Sequence, residues 1–333
     1  MPENRDDRCW VGFDLGGTKM MAAVLDADFK VLGRRRRKTK GNEGSKQGLD
    51  RIIETINDAL EEAGIARERL AGIGIGAPGL VDLEHGIVLD CVNLGWKNVH
   101  LRNELNKRFG VPVGVLNDVD AGVYGEFRFG AAKNARCVIG VFPGTGIGGG
   151  CVYQGQIFRG KVFSAFEIGH VQANPEGLPC GCGRIGCLET EASRLAVSAA
   201  AAAAVFRGEA PHLQAAVGTD LADIRSGALA EAIAAGDKVI EKIITRAAKL
   251  VGRTIGDLTN LLLPDVVVLG GGLVEAMPEL FLSGVEKGFS ERVVAAYQKT
   301  VKLTASKLGD DAVVRGAAGW IAKQIADETA AKN

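Results

Sequence analysis

One pattern constrains this chain more than any other: an apolar run, a glycine turn and a second apolar run, and the pattern occurs twice. Cys9 to Leu15 leads through Gly16-Gly17 into Thr18 to Leu25, and Cys137 to Phe142 leads through Gly144 to Gly150 into Cys151 to Tyr153. Short apolar runs bounded by glycine predict strands, and the tight turns between them predict hairpins. The first pair passes a polar break at Asp26-Ala27-Asp28 into a third run, Phe29 to Thr39, so an antiparallel meander is expected there. A chain of 333 residues is long enough for two packed cores. The recurrence therefore predicts two related α/β domains facing each other across a cleft.

The remaining segments fit that grammar. Gly48 to Ala63 carries Ile52, Ile53, Ile56 and Leu60 at helical spacing. Gly72 to Ala77 predicts a short strand ending at Pro78-Gly79, Leu101 to Phe109 a helix, and Val113 to Leu116 a strand that delivers Asn117 and Asp118. Residues 192–206 are alanine-rich and helical by propensity. Lys238 to Leu262 predicts a long amphipathic helix, Val266 to Leu269 a buried strand backed by Gly270-Gly271-Gly272, and Ala312 to Ala326 a closing helix. The basic run Arg34-Arg35-Arg36-Arg37-Lys38 falls inside the third strand, where alternate side chains point to opposite faces. A solvated edge strand guarded by charge accounts for it better than a nucleic-acid patch.

Composition removes several functions. Forty basic residues balance forty acidic ones, which favours neither nucleic acid nor a membrane surface as partner. No apolar stretch reaches the roughly 18 residues of a membrane span, and Met1 to Arg8 is polar and charged, unlike a secretory signal. Seven cysteines argue against a disulfide framework. Three of them crowd together, which points to metal in a reducing compartment and hence to the cytoplasm.

The glycine turns suggest phosphate binding. Gly16 and Gly17 allow a tight turn whose N–H groups can meet phosphate oxygens, with Thr18 adding a hydroxyl, Lys19 a charge and Asp14 a carboxylate for the water shell of Mg²⁺. A plain hairpin turn is the alternative. Gly144-Thr145-Gly146-Ile147-Gly148-Gly149 mimics a dinucleotide fingerprint, but a strand follows where that motif needs a helix. Gly155 to Lys161 mimics a P-loop, yet Val162 stands where a hydroxyl must reach Mg²⁺. His170, Cys180, Cys182 and Cys187 form one imidazole and three thiolates, a closed tetrahedral set suited to structural Zn²⁺. Gly181, Gly183 and Gly186 are expected to relieve crowding among these ligands. Cys9, Cys91, Cys137 and Cys151 stand singly in apolar runs and read as core.

Together, Asp14 to Lys19, Gly76-Ala77-Pro78-Gly79, Asn117-Asp118, Gly144 to Gly149, Glu167 to His170, the cysteines through Glu189, and Gly270 to Gly272 resemble the ROK family (repressors, open reading frames, sugar kinases), most closely its bacterial glucokinase-like members. The resemblance covers nearly the whole chain. It implies a two-domain actin-like (hexokinase-type) fold and usually a homodimer, with a small domain from residues 1–118 plus 313–333 and a larger one from 119–312 carrying the zinc. It implies Asp118 as catalytic base, Asn117 as its sugar-binding neighbour, and Glu167, His170 and Glu189 as grips on sugar hydroxyls, with Gly79 and Asn93 lining the same pocket. His170 would bind metal through one ring nitrogen and sugar through the other. ATP would lie on Asp14 to Lys19 and on Gly144, Thr145 and Gly146, its adenosine flanked by Gly270, Gly271 and Gly272. The expected reaction is attack of a primary sugar hydroxyl on the γ-phosphorus, glucose being favoured over fructose, mannose, allose or N-acetylated amino sugars, with polyphosphate an alternative donor. An Asx turn is the structural alternative for Asp118. Family repressors carry a DNA-reading module before the first glycine motif, and the 13 residues before Asp14 are too few for one. A sugar-sensing regulator without catalysis is the remaining alternative. The chain departs from the family pattern at Phe163 and Phe166, where small residues are usual, and at Val119, Asp120 and Gly122.

Overall fold

The computed structural model describes residues 8–161 and 165–332; Val162 and Phe163 lie outside the described residues. The chain divides into two compact units, one from Met1–Asn134, Gly150–Ala165 and Asp310–Asn333, the other from Ala135–Gly149 and Phe166–Gly309.

The first unit opens with β1 (Cys9–Leu15), β2 (Lys19–Leu25) and β3 (Val31–Lys38), the expected antiparallel meander. It continues with α1 (Ser45–Glu62), β4 (Leu70–Ala77), the short strands β5 (Leu80–Asp82), β6 (Ile87–Cys91) and β7 (Trp96–Val99), then α2 (Leu101–Phe109), β8 (Val113–Asn117) and α3 (Asp118–Phe129). The main sheet has the order β3-β2-β1-β4-β8, with β1, β4 and β8 parallel. β1 and β4 are buried on both faces, as near-continuous apolar strands of a covered sheet must be. The arginine run lies on the edge strand β3 and alternates as predicted. Arg34 and Arg36 pair with Asp311 and Asp310, whereas Arg35 and Arg37 reach Asp58 on α1.

The second hairpin is β9 (Cys137–Pro143) and β10 (Ile147–Tyr153), followed by the short β11 (Gln156–Ile157). The glycine turn is shorter than the sequence suggests. Gly148 to Gly150 already belong to β10, and the turn closes where the Gly144 N–H donates to the Gly146 carbonyl at 2.8 Å. Then come α4 (Leu188–Ala192), α5 (Arg194–Phe206), α6 (Pro211–Val217), α7 (Ser226–Ala235), α8 (Lys238–Leu262), β12 (Val266–Leu269), α9 (Gly272–Ala276), α10 (Pro278–Ser290), β13 (Lys302–Ala305) and α11 (Asp311–Lys332). The second sheet has the order β11-β10-β9-β12-β13, and β9, β12 and β13 run parallel. The alanine-rich helix starts two residues later than composition implies, because Ser193 breaks it off from α4 and caps α5 by accepting the Ala196 N–H.

The last helix returns to the first unit and packs on β1, β4 and α3. Its approach depends on bare backbone in the sheet: a Cβ on Gly12 would lie 1.9 Å from the Val314 carbonyl oxygen, and one on Gly74 2.0 Å from that of Ala317. Between α11 and the sheet a cluster of Trp10, Phe29, Val314, Ala318 and Ile321 closes the core, with Phe29 and Phe129 rings 5.0 Å apart. Among the described residues no helix is long and apolar enough to cross a membrane.

Candidate active site and metal centre

In the first unit, three parallel strands end along one edge, the place where open α/β sheets present ligand-binding groups. The register sets Asp14 beside Gly76, and Ala77 beside Asn117. Asp14, at the end of β1, has its carboxyl pushed up to about 7, mainly by burial, with the Asp118 and Asp310 charges adding and Arg36 opposing. A small cavity of about 180 Å³ lies against it, lined by Lys19, Met20, Met21, Arg36 and Asp310. Arg36 crosses this cavity to Asp310, with Nη2 2.7 Å from the carboxylate. Arg36 and Asp310 were not singled out from sequence. The alternation inside the basic run carries the only signal for Arg36, and nothing local marks Asp310.

The hairpin Gly16-Gly17-Thr18 follows Asp14, with Gly17, Thr18 and Lys19 exposed. A Cβ on Gly17 would be 3.6 Å from that of Asn93, so the expected sugar-side asparagine stands beside the expected phosphate turn. Asn117 does more than the sequence reading assigned it. Its Oδ1 accepts the N–H groups of Val119 and Asp120 at 2.9 and 3.3 Å, capping α3, and its Nδ2 donates to the Gly79 carbonyl at 3.2 Å. Gly79 itself sits at φ +87, a conformation that disfavours side chains. Asp118 is half-buried at the first position of α3, where Oδ1 accepts the Val119 N–H at 2.9 Å. The bond two residues on that defines an Asx turn is made by Asn117 instead, while Asp118 takes the N–H of the next residue, which orients its carboxyl group.

In the second unit the Gly144–Gly146 turn is held from two sides. Glu189 accepts the Ile147 N–H at 2.9 Å, while Arg194 donates its backbone N–H to the Gly144 carbonyl and its guanidinium to the Thr145 hydroxyl, both at 2.9 Å. Gly270 and Gly271 follow β12, and Gly271, at φ +85, is the N-cap of α9. Glu167 is exposed, and Phe166 before it adopts φ +83. That left-handed backbone is the physical reason a glycine suits this position, and holding phenylalanine there costs about 1–3 kcal/mol.

His170, Cys180, Cys182 and Cys187 converge, each offering one ligand atom, all within 4.8 Å of one another. The Cys180 sulfur lies 3.6 Å from His170 Nδ1, and the Cys182 and Cys187 sulfurs are 3.6 Å apart. Tetrahedral ligands about 2.3 Å from a zinc ion stand roughly 3.7 Å from one another, so the donor set fits Zn²⁺. With Nδ1 directed at the sulfurs, Nε2 of His170 is the ring nitrogen left for a second partner. Arg184, through backbone and side-chain hydrogen bonds, holds the Cys182 thiol down at about 6, and burial pushes Cys187 up to about 12. Gly183 and Gly186 have the positive φ the knuckle needs, whereas Gly181 has neither a positive φ nor a close neighbour, so that glycine is not required for crowding. Cys9, Cys91, Cys137 and Cys151 are buried singly, as expected.

The ROK family profile matches residues 10–324. The chain belongs to the ROK family. A glucokinase from Halalkalibacterium halodurans is 32% identical over 96% of both chains. A xylose repressor from Caldicellulosiruptor bescii is 30% identical over 94% of this chain and 78% of its own. Among solved structures, a ROK family glucokinase from Streptomyces griseus, crystallised with glucose and AMPPNP, superposes with a TM-score of 0.81 at 32% identity, over 94% of this chain and 98% of that one. The fold of this ROK chain is thus the two-unit actin-like architecture expected from its motifs.

Proposed function

We propose that this chain is a hexose kinase that transfers the γ-phosphoryl group of ATP to a sugar hydroxyl, with glucose as the first substrate to test. The observation that carries the reading is the shared edge of the first unit, where Asp14, the Gly16–Thr18 turn, Asn93 and the Asn117–Asp118 pair meet. Asp118 is the base: it accepts the proton of the sugar hydroxyl as that oxygen attacks phosphorus, and its Val119 hydrogen bond fixes the carboxyl direction. Phosphoryl transfer asks for positioning and charge neutralisation more than covalent chemistry. The turn's amides, Thr18 and Lys19 supply neutralisation on one side, and Gly144, Thr145 and Gly146 are assigned the same role in the second unit. Asp14, its carboxyl raised by burial and two further carboxylates, suits a divalent cation; Mg²⁺ held there would neutralise phosphate charge. Glu167, His170 and Glu189 are assigned to sugar hydroxyls with Asn93, Asn117 and Gly79, and Gly270 to Gly272 to the adenosine. Zinc on His170, Cys180, Cys182 and Cys187 would fix the imidazole without entering the chemistry, in a reducing cytoplasm and a homodimeric enzyme.

A coupled assay of ADP release against glucose, fructose, mannose, allose and N-acetylated amino sugars tests the reading, with polyphosphate as a second donor. ATP-dependent turnover with glucose is expected. The similarity to a xylose repressor motivates the second reading, a sugar-binding regulator. Sugar binding without stimulated ADP release for any member of the panel would decide for that reading.

A further inference from the structure

The turn Gly16-Gly17-Thr18 is gripped from behind by a residue with no role so far. Thr39, only 1% exposed, follows β3 and bonds the turn twice. Its hydroxyl donates to the Gly16 carbonyl at 2.6 Å, and its backbone N–H donates to the Thr18 carbonyl at 2.9 Å. Thr39 is itself held: Arg51 on α1 donates from Nε to the Thr39 carbonyl at 3.0 Å and from Nη2 to the Lys40 carbonyl at 3.1 Å. The same guanidinium pairs with Glu43, and the Arg51 side chain is only 16% exposed.

The peptide between Gly16 and Gly17 has no Cβ on either side, so its own chain restrains its rotation weakly. A planar trans peptide carries its carbonyl and N–H on opposite sides. Drawing the Gly16 carbonyl inward to the Thr39 hydroxyl therefore turns the Gly17 N–H away from Thr39, on a turn whose Gly17 and Thr18 are exposed. We propose that Thr39 is a positioning residue for phosphotransfer: its hydroxyl presets the Gly17 amide as a donor to the terminal phosphates of the nucleotide. Preset donors act without reorganising when charge develops, which is where such an amide has its effect. The proposal rests on the kinase reading. The bland account, that Thr39 merely extends the β2–β3 ladder, needs only its backbone N–H, and the side chain separates the two.

Thr39→Val keeps shape and backbone bond but removes the donor, while Thr39→Ser restores it. Calorimetric titration with Mg·AMPPNP and steady-state kinetics on the full chain are expected to show Thr39→Val weakening nucleotide affinity and raising KM for ATP about tenfold. The KM for sugar and the melting temperature should stay near wild type, and Thr39→Ser should recover most of the nucleotide affinity. Wild-type AMPPNP affinity in Thr39→Val overturns the proposal. So does a parallel loss of sugar and nucleotide affinity with a lowered melting temperature that Ser does not rescue. Wild-type protein that binds AMPPNP without phosphorylating any sugar would remove the kinase reading alone, leaving the affinity comparison to decide. Wild-type protein that binds no AMPPNP would remove both.

Discussion

Two carboxylates at the sheet edge have opposite demands placed on them. As the proposed base, Asp118 has to accept a proton, and its Oδ1 takes the Val119 N–H at 2.9 Å from a half-buried position. Asp118→Asn should lower kcat by about 10²–10⁴-fold while leaving sugar and nucleotide affinities near wild type. A variant within about threefold of wild-type kcat would exclude the base role. Asp14 is the reverse case, its carboxyl raised from 3.8 to about 7, with burial as the first cause. The folded chain keeps that proton where the unfolded chain has lost it. The group's stabilising contribution is thus complete below pH 3.8 and is lost as pH rises towards about 7. In metal-free protein, Asp14→Asn should melt above wild type by a margin that is largest above pH 7 and narrows on acidification to pH 5. A margin independent of pH would contradict the burial account. Mg²⁺ added above pH 7 should raise the melting temperature of wild type and leave the variant unmoved.

At the scale of elements, α3 is the piece that sequence reading missed and the site needs most. Its apolar positions are interrupted by Gly122 and Gly125, and both its first-turn acids read equally well as loop residues. Asn117 ends β8 and caps α3 at once, so a single residue couples strand, helix and the Gly79 carbonyl. Asn117→Ala should cost about 1 kcal/mol in urea unfolding, with Asn117→Ser recovering most of it. Equal stability of the two variants would mean that the cap contributes nothing. β1, β2, α2, α8 and β12, by contrast, were legible to within a residue or two, since each has a strong period or a sharp glycine, proline or polar boundary. The sheet of β5, β6 and β7 was not, because its strands are short and only cross-strand pairing defines them.

Across the molecule, each five-stranded sheet has a glycine hairpin at the ends of parallel strands, and a cluster of four candidate metal ligands lies between β11 and α4. The stretch from Phe166 to Cys187 contains a single 3-10 turn as regular structure, with bridges at Gln172–Cys187 and Pro179–Ile185. Little apolar burial holds such a segment, so metal ligation is expected to supply its order. Elemental analysis should find one zinc per chain. Cys187→Ser should lose that zinc, lower the melting temperature and open the knuckle to protease. Zinc-free wild type with an unchanged melting temperature and protease resistance would refute a structural metal. The units themselves are divided otherwise than at residues 118 and 313: α3 stays whole within the first unit, against which α11 packs.

The sequence by itself determined the local chemistry: two glycine hairpins, a four-donor metal set, an aspartate after a strand, and the alternation of an arginine-rich edge. These follow from residue type and spacing over a few positions. Only the tertiary structure decided which distant groups share an environment. Asp310 beside Asp14, Glu189 behind Gly146 and Thr39 behind Gly16 are each brought together by sheet register or returning helices. Backbone donors and carbonyls have no signature in the amino-acid code, and the direction in which a glycine amide points depends on what grips the other side of its peptide.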